Sequence, residues 1–165
     1  MDNFLLDTNI NIDASSAKII DCLNYYSFYV SQVVFKEEVI KQISGLKESE
    51  FNKINETIKE LLMAKEYHNS NKKISFYDAI NLAIAKERQM ILVTGDQQLI
   101  KCAEQINVNC IGVLRLIEVL IDNGLLDIKN SIIALQNLKK DFKRRVPHSL
   151  IDLLIEKLKK QEVLL

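Results

Sequence analysis

The chain has little of most residues that give small proteins special architectures. One proline and four glycines in 165 residues exclude collagen-like and low-complexity classes. Tryptophan is absent, and the two histidines, His68 and His148, stand far apart, which argues against a histidine-based hydrolase. The three cysteines, Cys22, Cys102 and Cys110, are odd in number and lack metal-ligand spacing. They lie in mainly apolar stretches and read as buried free thiols of a reducing compartment. No serine or cysteine occupies a nucleophile elbow, and no glycine-rich phosphate loop is present. Apolar runs such as Val113 to Ile121 fall short of the roughly 20 residues that span a bilayer. Asp2 and Asp7 stand where a signal peptide wants positive charge and an unbroken apolar run. The expectation is a cytoplasmic protein with no membrane partner.

Net charge is also missing: 22 basic and 22 acidic residues cancel, so no global field draws the chain onto nucleic acid. Any such partner must be met locally. The stretch from Lys129 to Lys160 is basic, with Lys139, Lys140, Lys143, Arg144 and Arg145 at its centre. This face is either simply solvated or a contact for phosphates or an acidic partner. What is present in ordinary measure, 48% hydrophobic and 27% charged residues, suits one soluble domain of common size.

Phe4-Leu5-Leu6 predicts a buried strand that stops at Asp7-Thr8-Asn9, residue types that favour turns and caps. Ser15 or Ser16 would cap a helix to about Tyr25, and Phe28-Tyr29-Val30 predicts a second strand. Ser31 would cap a helix carrying Glu37 and Glu38. An amphipathic helix is expected from about Ser49 to Tyr67, then a polar loop from His68 to Lys73. Ser75 opens a small-residue helix from Phe76 to Ala85, and Met90 to Val93 forms a strand ending at Thr94-Gly95-Asp96. A short helix from Gln97 to Glu104 and a strand from Val108 to Ile111 follow. Strands alternating with helices predict an α/β fold, a parallel sheet with helices on both faces. From Val113 the pattern is helical: Leu114 to Ile121, Ile128 to about Phe142, and a helix entered through Pro147 and ending near Lys160.

Asp7 and Asp96 should project from the carboxyl edge of that sheet, where open α/β sheets place ligands. About ten helical residues after Asp78 run roughly 15 Å away, and the next strand returns a similar distance, so Asp78 shares that edge. Glu37, favoured over its neighbour Glu38, is long enough to lean toward it. Converging carboxylates repel unless a cation neutralises them, and oxygen donors of this kind suit Mg2+ or Mn2+. The chemistry that follows is metal-assisted phosphodiester hydrolysis. Each acid also has a plainer reading: Ser75-x-x-Asp78 is a capping-box pattern, Asp96 a helix cap, Asp7 an Asx turn and Glu37 a solvated helix residue.

Four segments in this order resemble the PIN domain, the small metal-dependent ribonuclease fold of VapC-like toxins. They are Leu5-Leu6-Asp7-Thr8-Asn9, Val30-Ser31 with Glu37, Phe76-Tyr77-Asp78-Ala79, and Leu92-Val93-Thr94-Gly95-Asp96. The resemblance implies a three-layer α/β/α nuclease domain over residues 1–112, with a central parallel sheet of four to five strands. Residues 113–165 then form a helical extension packed on the same domain. It also implies that Asp7, Glu37, Asp78 and Asp96 are catalytic and hold Mg2+ or Mn2+, supported by Thr8, Asn9 and Thr94. Lys143, Arg144 and Arg145 are candidate contacts for RNA or a partner. The implied function is that of an endoribonuclease, the toxin of a type II toxin-antitoxin pair, with a small antitoxin partner and a homodimeric state. Gln98 and Leu99 stand where many relatives carry a further acid. The alternative is therefore a catalytically weakened PIN domain that binds nucleic acid or protein.

Overall fold

Apolar, β-branched and aromatic side chains make Phe4–Leu6 (β1), Phe28–Ser31 (β2), Lys53–Ile54 (β3), Ile91–Val93 (β4) and Cys110–Ile111 (β5) into one sheet. A computed structural model describes residues 2–25, 27–47 and 51–163. The strand order is β3-β2-β1-β4-β5 and every pairing is parallel, with Phe4 opposite both Phe28 and Ile91. β1 is central, and its three residues are all buried, as expected of a strand covered on both faces. Its last residue is therefore followed, at the middle of the carboxyl edge, by Asp7.

Helices cover both faces, giving the three-layer α/β/α architecture. They are α1 (Thr8–Ser16), α2 (Gln32–Val34) continued through a π-helical turn at Phe35–Val39 into α3 (Ile40–Gln42), α4 (Ile58–Ser70), α5 (Phe76–Glu87), α6 (Gln97–Gln105), α7 (Val113–Asp122), α8 (Ile128–Lys140) and α9 (His148–Val163). The core joins Leu5, Leu6, Phe28, Phe35, Ile80, Ile84 and Leu92 to Leu116, Leu120 and Leu135 of the later helices. Among the described residues no helix is long and apolar enough to cross a membrane.

Several helix boundaries differ from the sequence expectation. α1 begins directly after β1, not at Ser15 or Ser16, because the Asp7 carboxylate accepts from Ile10 N at 2.8 Å and caps it. It ends before Lys18, whose φ of 61° breaks the helical path, and only a 3-10 turn at Ile20–Leu23 follows. The expected start at Ser49 lies outside the described residues, and Lys53–Ile54 is the edge strand β3. α4 starts instead at a capping box in which Thr57 and Glu60 satisfy each other's backbone N–H groups. His68 lies inside α4 rather than in a loop, and its Nδ1 meets Ile74 O at 3.0 Å. The cysteines are free, but only Cys102 is buried; Cys22 and Cys110 are half-buried.

The last two helices are tied back to α1. Ser16 Oγ donates to Asp141 at 2.8 Å, and Arg144 Nη1 donates to Asp13 at 3.2 Å. Both ends of the second contact are largely shielded, with 16% and 12% of their side chains exposed. Burial raises the Asp13 pKa, and the Arg144 charge opposes that rise. Arg144→Met would leave a buried carboxylate alone and is expected to cost about 2–3 kcal/mol, lowering the melting temperature by roughly 5–10 °C. Adding Asp13→Asn should restore most of the loss in thermal denaturation, since it removes the stranded charge.

Candidate active site

The carboxyl edge of the sheet is built from short local devices, each fixing one acid. Asp7 is 3% exposed. Its Oδ1 accepts from Ile10 N, and its Oδ2 accepts from the Thr94 hydroxyl. Burial pushes its pKa up to about 7, against the pull of those two hydrogen bonds, and the nearby charges of Asp78 and Asp13 push the same way. A buried carboxylate under these conditions is poised to accept a cation or a proton.

Asp96 lies beside it through Thr94. The same hydroxyl that donates to Asp7 accepts from Asp96 N at 3.1 Å. The Asp96 Oδ1 atom caps α6, accepting from Gln98 N at 2.7 Å and Leu99 N at 3.0 Å. Asp78 closes the capping box of α5: its Oδ2 accepts from Ser75 N at 2.9 Å and Ser75 Oγ at 2.8 Å. Its charge is felt at Asp7. Asp78 and Asp96 are therefore the helix caps read from the sequence, whereas Asp7, read there as an Asx turn, is the N-cap of α1.

Glu37 does not join them. It is exposed and paired with Lys41 at 2.8 Å, a hydrogen bond and charge that hold its carboxyl below the usual range. Glu38 is tied to the residue after Asp7: the Thr8 hydroxyl donates to its Oε2 at 2.6 Å. The signal in the sequence was Lys41 four residues after Glu37, the spacing of a surface ion pair, with Glu38 four residues after the buried Val34. The π-helical turn at Phe35–Val39 carries both glutamates, and such turns recur at functional sites. Thr8 and Thr94 are buried supports, whereas Asn9 is exposed and Asn11 instead donates to Asp7 O at 2.8 Å.

Among the described residues, no three His, Cys, Asp or Glu side chains are grouped so that they could hold a metal ion. The donor chemistry nonetheless suits a hard cation. Glu38, Asp78 and Asp96 each spend one carboxylate oxygen on a hydroxyl or backbone N–H and leave the other without a hydrogen-bond partner among the described residues. Of the basic candidates, Arg144 is turned inward to Asp13, while Lys143 and Arg145 are exposed.

A family model described as a PIN domain matches residues 4–160, continuing past the sheet through α7, α8 and most of α9. No curated protein and no solved structure matches the chain.

Proposed function

Because the chain belongs to the PIN domain family, whose members are generally nucleases, we propose that it is an endoribonuclease dependent on Mg2+ or Mn2+. Asp7, Glu38, Asp78 and Asp96 are the acids of its site. The observation that carries this reading is the Thr94 hydroxyl, which joins Asp7 to the backbone of Asp96 while the charge of Asp78 bears on the same buried carboxylate. An open acid edge fits Mg2+, which keeps several waters and takes one or two carboxylates plus substrate phosphate. When bound, the cation would acidify a water and neutralise charge on the phosphate.

The chain's own part is to hold oxygens in place. Thr94 and Ile10 N fix Asp7, Ser75 fixes Asp78, the first turn of α6 fixes Asp96, and Thr8 fixes Glu38. Each support limits the rotation of its carboxylate, so little reorganisation remains at the reaction. Glu38 replaces Glu37 in this assignment because only Glu38 faces Asp7 through Thr8.

We read residues 1–112 as the nuclease domain and residues 113–165 as helices packed on it. The resemblance to VapC-like proteins supports a toxin with a small antitoxin partner and a homodimeric state, and the free thiols support a cytoplasmic setting. The second reading, a weakened domain that only binds, is favoured by Gln98 and Leu99 in place of a further acid. Incubating RNA with the protein in Mg2+ or Mn2+ separates them. Cleavage that is lost in EDTA and in folded Asp78→Asn and Asp96→Asn proteins is expected. RNA retention without cleavage would favour the binding module, and equal activity in those variants would end the nuclease assignment.

A further inference from the structure

The turn between α8 and α9 has residues of two kinds, and they point in opposite directions. Asp141 and Arg144 face α1: Asp141 takes a hydrogen bond from Ser16, and Arg144 meets Asp13. Lys143 N also donates to the Asp141 side chain at 3.0 Å, and Arg144 N to Asp141 O at 2.9 Å. The turn is therefore closed and clamped. Its other residues face water: Phe142 is 88% exposed, and Lys143 and Arg145 are exposed on either side of Arg144. Lys140 precedes them, and Lys18, also exposed, lies two residues beyond Ser16. Among the described residues none of these outward cations has an ion-pair partner, whereas Lys139 and Lys157 do. The carboxylates of the turn and of α1 beneath it, Asp141 and Asp13, are both occupied. The result is a local positive surface on a chain of zero net charge.

A lone exposed phenylalanine is ordinary. One on a hydrogen-bonded turn between cations is the combination that single-stranded nucleic acid uses, a stacking surface beside phosphate contacts. Its place relative to the acids follows from the clamp. Asp13 and Ser16 lie about 9 and 14 Å along α1 from Asp7 at a rise of 1.5 Å per residue, so the turn stands at the far end of α1 and a strand of a few nucleotides spans from it to the acids.

We propose that this turn is a binding platform for single-stranded RNA, in which a base stacks on Phe142 while Lys143 and Arg145 contact phosphates of the strand that reaches the acid edge. Arg144 is the positioning residue that presents them. The proposal rests on the nuclease reading only for its choice of RNA.

The absence of tryptophan supplies the test. Phe142→Trp places one such fluorophore in the protein, and titration with an unstructured 12-nucleotide RNA in EDTA should quench it as bases stack. Phe142→Ala is expected to weaken binding about 5- to 100-fold with the salt dependence unchanged. Lys143→Glu with Arg145→Glu should reduce the slope of log affinity against log salt by at least about 1.4 and leave the melting temperature in place. Unquenched emission, or wild-type affinity in either variant, overturns the platform. Metal-dependent cleavage that persists alongside such a result would leave the nuclease reading standing. Quenching without cleavage would do the reverse.

Discussion

Replacing Asp7 with asparagine is expected to stabilise the protein in EDTA above neutral pH while abolishing its cleavage of RNA. The two effects share a cause. The folded state raises the Asp7 pKa from 3.8 to about 7, chiefly by burial, so between those values the folded chain binds a proton that the unfolded chain has released. Stability from this group is thus greatest at the acid end and falls as pH rises through the window, with the full deficit present above about pH 7. The deficit is up to about 4 kcal/mol, or roughly 8–15 °C in melting temperature for a chain of this size. Asparagine carries no charge, can still accept from Ile10 N and can turn its amide toward Thr94. Thermal melts at pH 5 and pH 8 check this: the wild type should lose stability between them more steeply than Asp7→Asn. Saturating Mn2+ should then raise the wild type at pH 8 and leave the variant unmoved. An equal pH dependence in both proteins would contradict the burial argument.

Glu38→Gln is expected to lower cleavage by about 10- to 100-fold, whereas Glu37→Gln leaves it near the wild-type rate. Thr8 joins Glu38 to the acid edge, and Lys41 holds Glu37 on the solvent side. The comparison is demanding because the two residues are adjacent on the same helical segment and of the same type. Rates at saturating Mn2+, taken with the metal concentration for half-maximal activity, distinguish a weakened metal site from a damaged fold. A large loss in Glu37→Gln with none in Glu38→Gln would reverse the assignment.

Features set by neighbouring residues were legible in the sequence. Phe4-Leu5-Leu6 and Met90 to Val93 read as strands because apolar runs bounded by Asp and Gly leave little else. Ser75 with Asp78, and Asp96 before Gln97, read as caps because capping needs only residues three or fewer apart. Those same caps put Asp7, Asp78 and Asp96 at strand ends and helix starts on one edge. What was not legible depended on competition or distance. Ser15 or Ser16 reads as the cap of the first helix, and only the packed α1 shows that Asp7 caps it. Lys53–Ile54 pairs with β2 although its neighbours suit a helix. Lys41 four residues on marks Glu37 as a surface residue, but the place of Glu38 required knowing that Thr8, thirty residues earlier, lies against it. The inward turn of Arg144 depends on Asp13, 131 positions away, and no local pattern announces such a partner.

That separation has a consequence for how the protein comes into being. The helix that starts at Asp7 is made well before Arg144, and its buried Asp13 has no counter-charge until the ribosome has delivered that arginine. Docking at such long range is slow relative to local helix formation, so this ion pair closes only after α1 itself can form. A nascent chain halted before that arginine would carry all four acids without the clamp that steadies the helix behind the first of them.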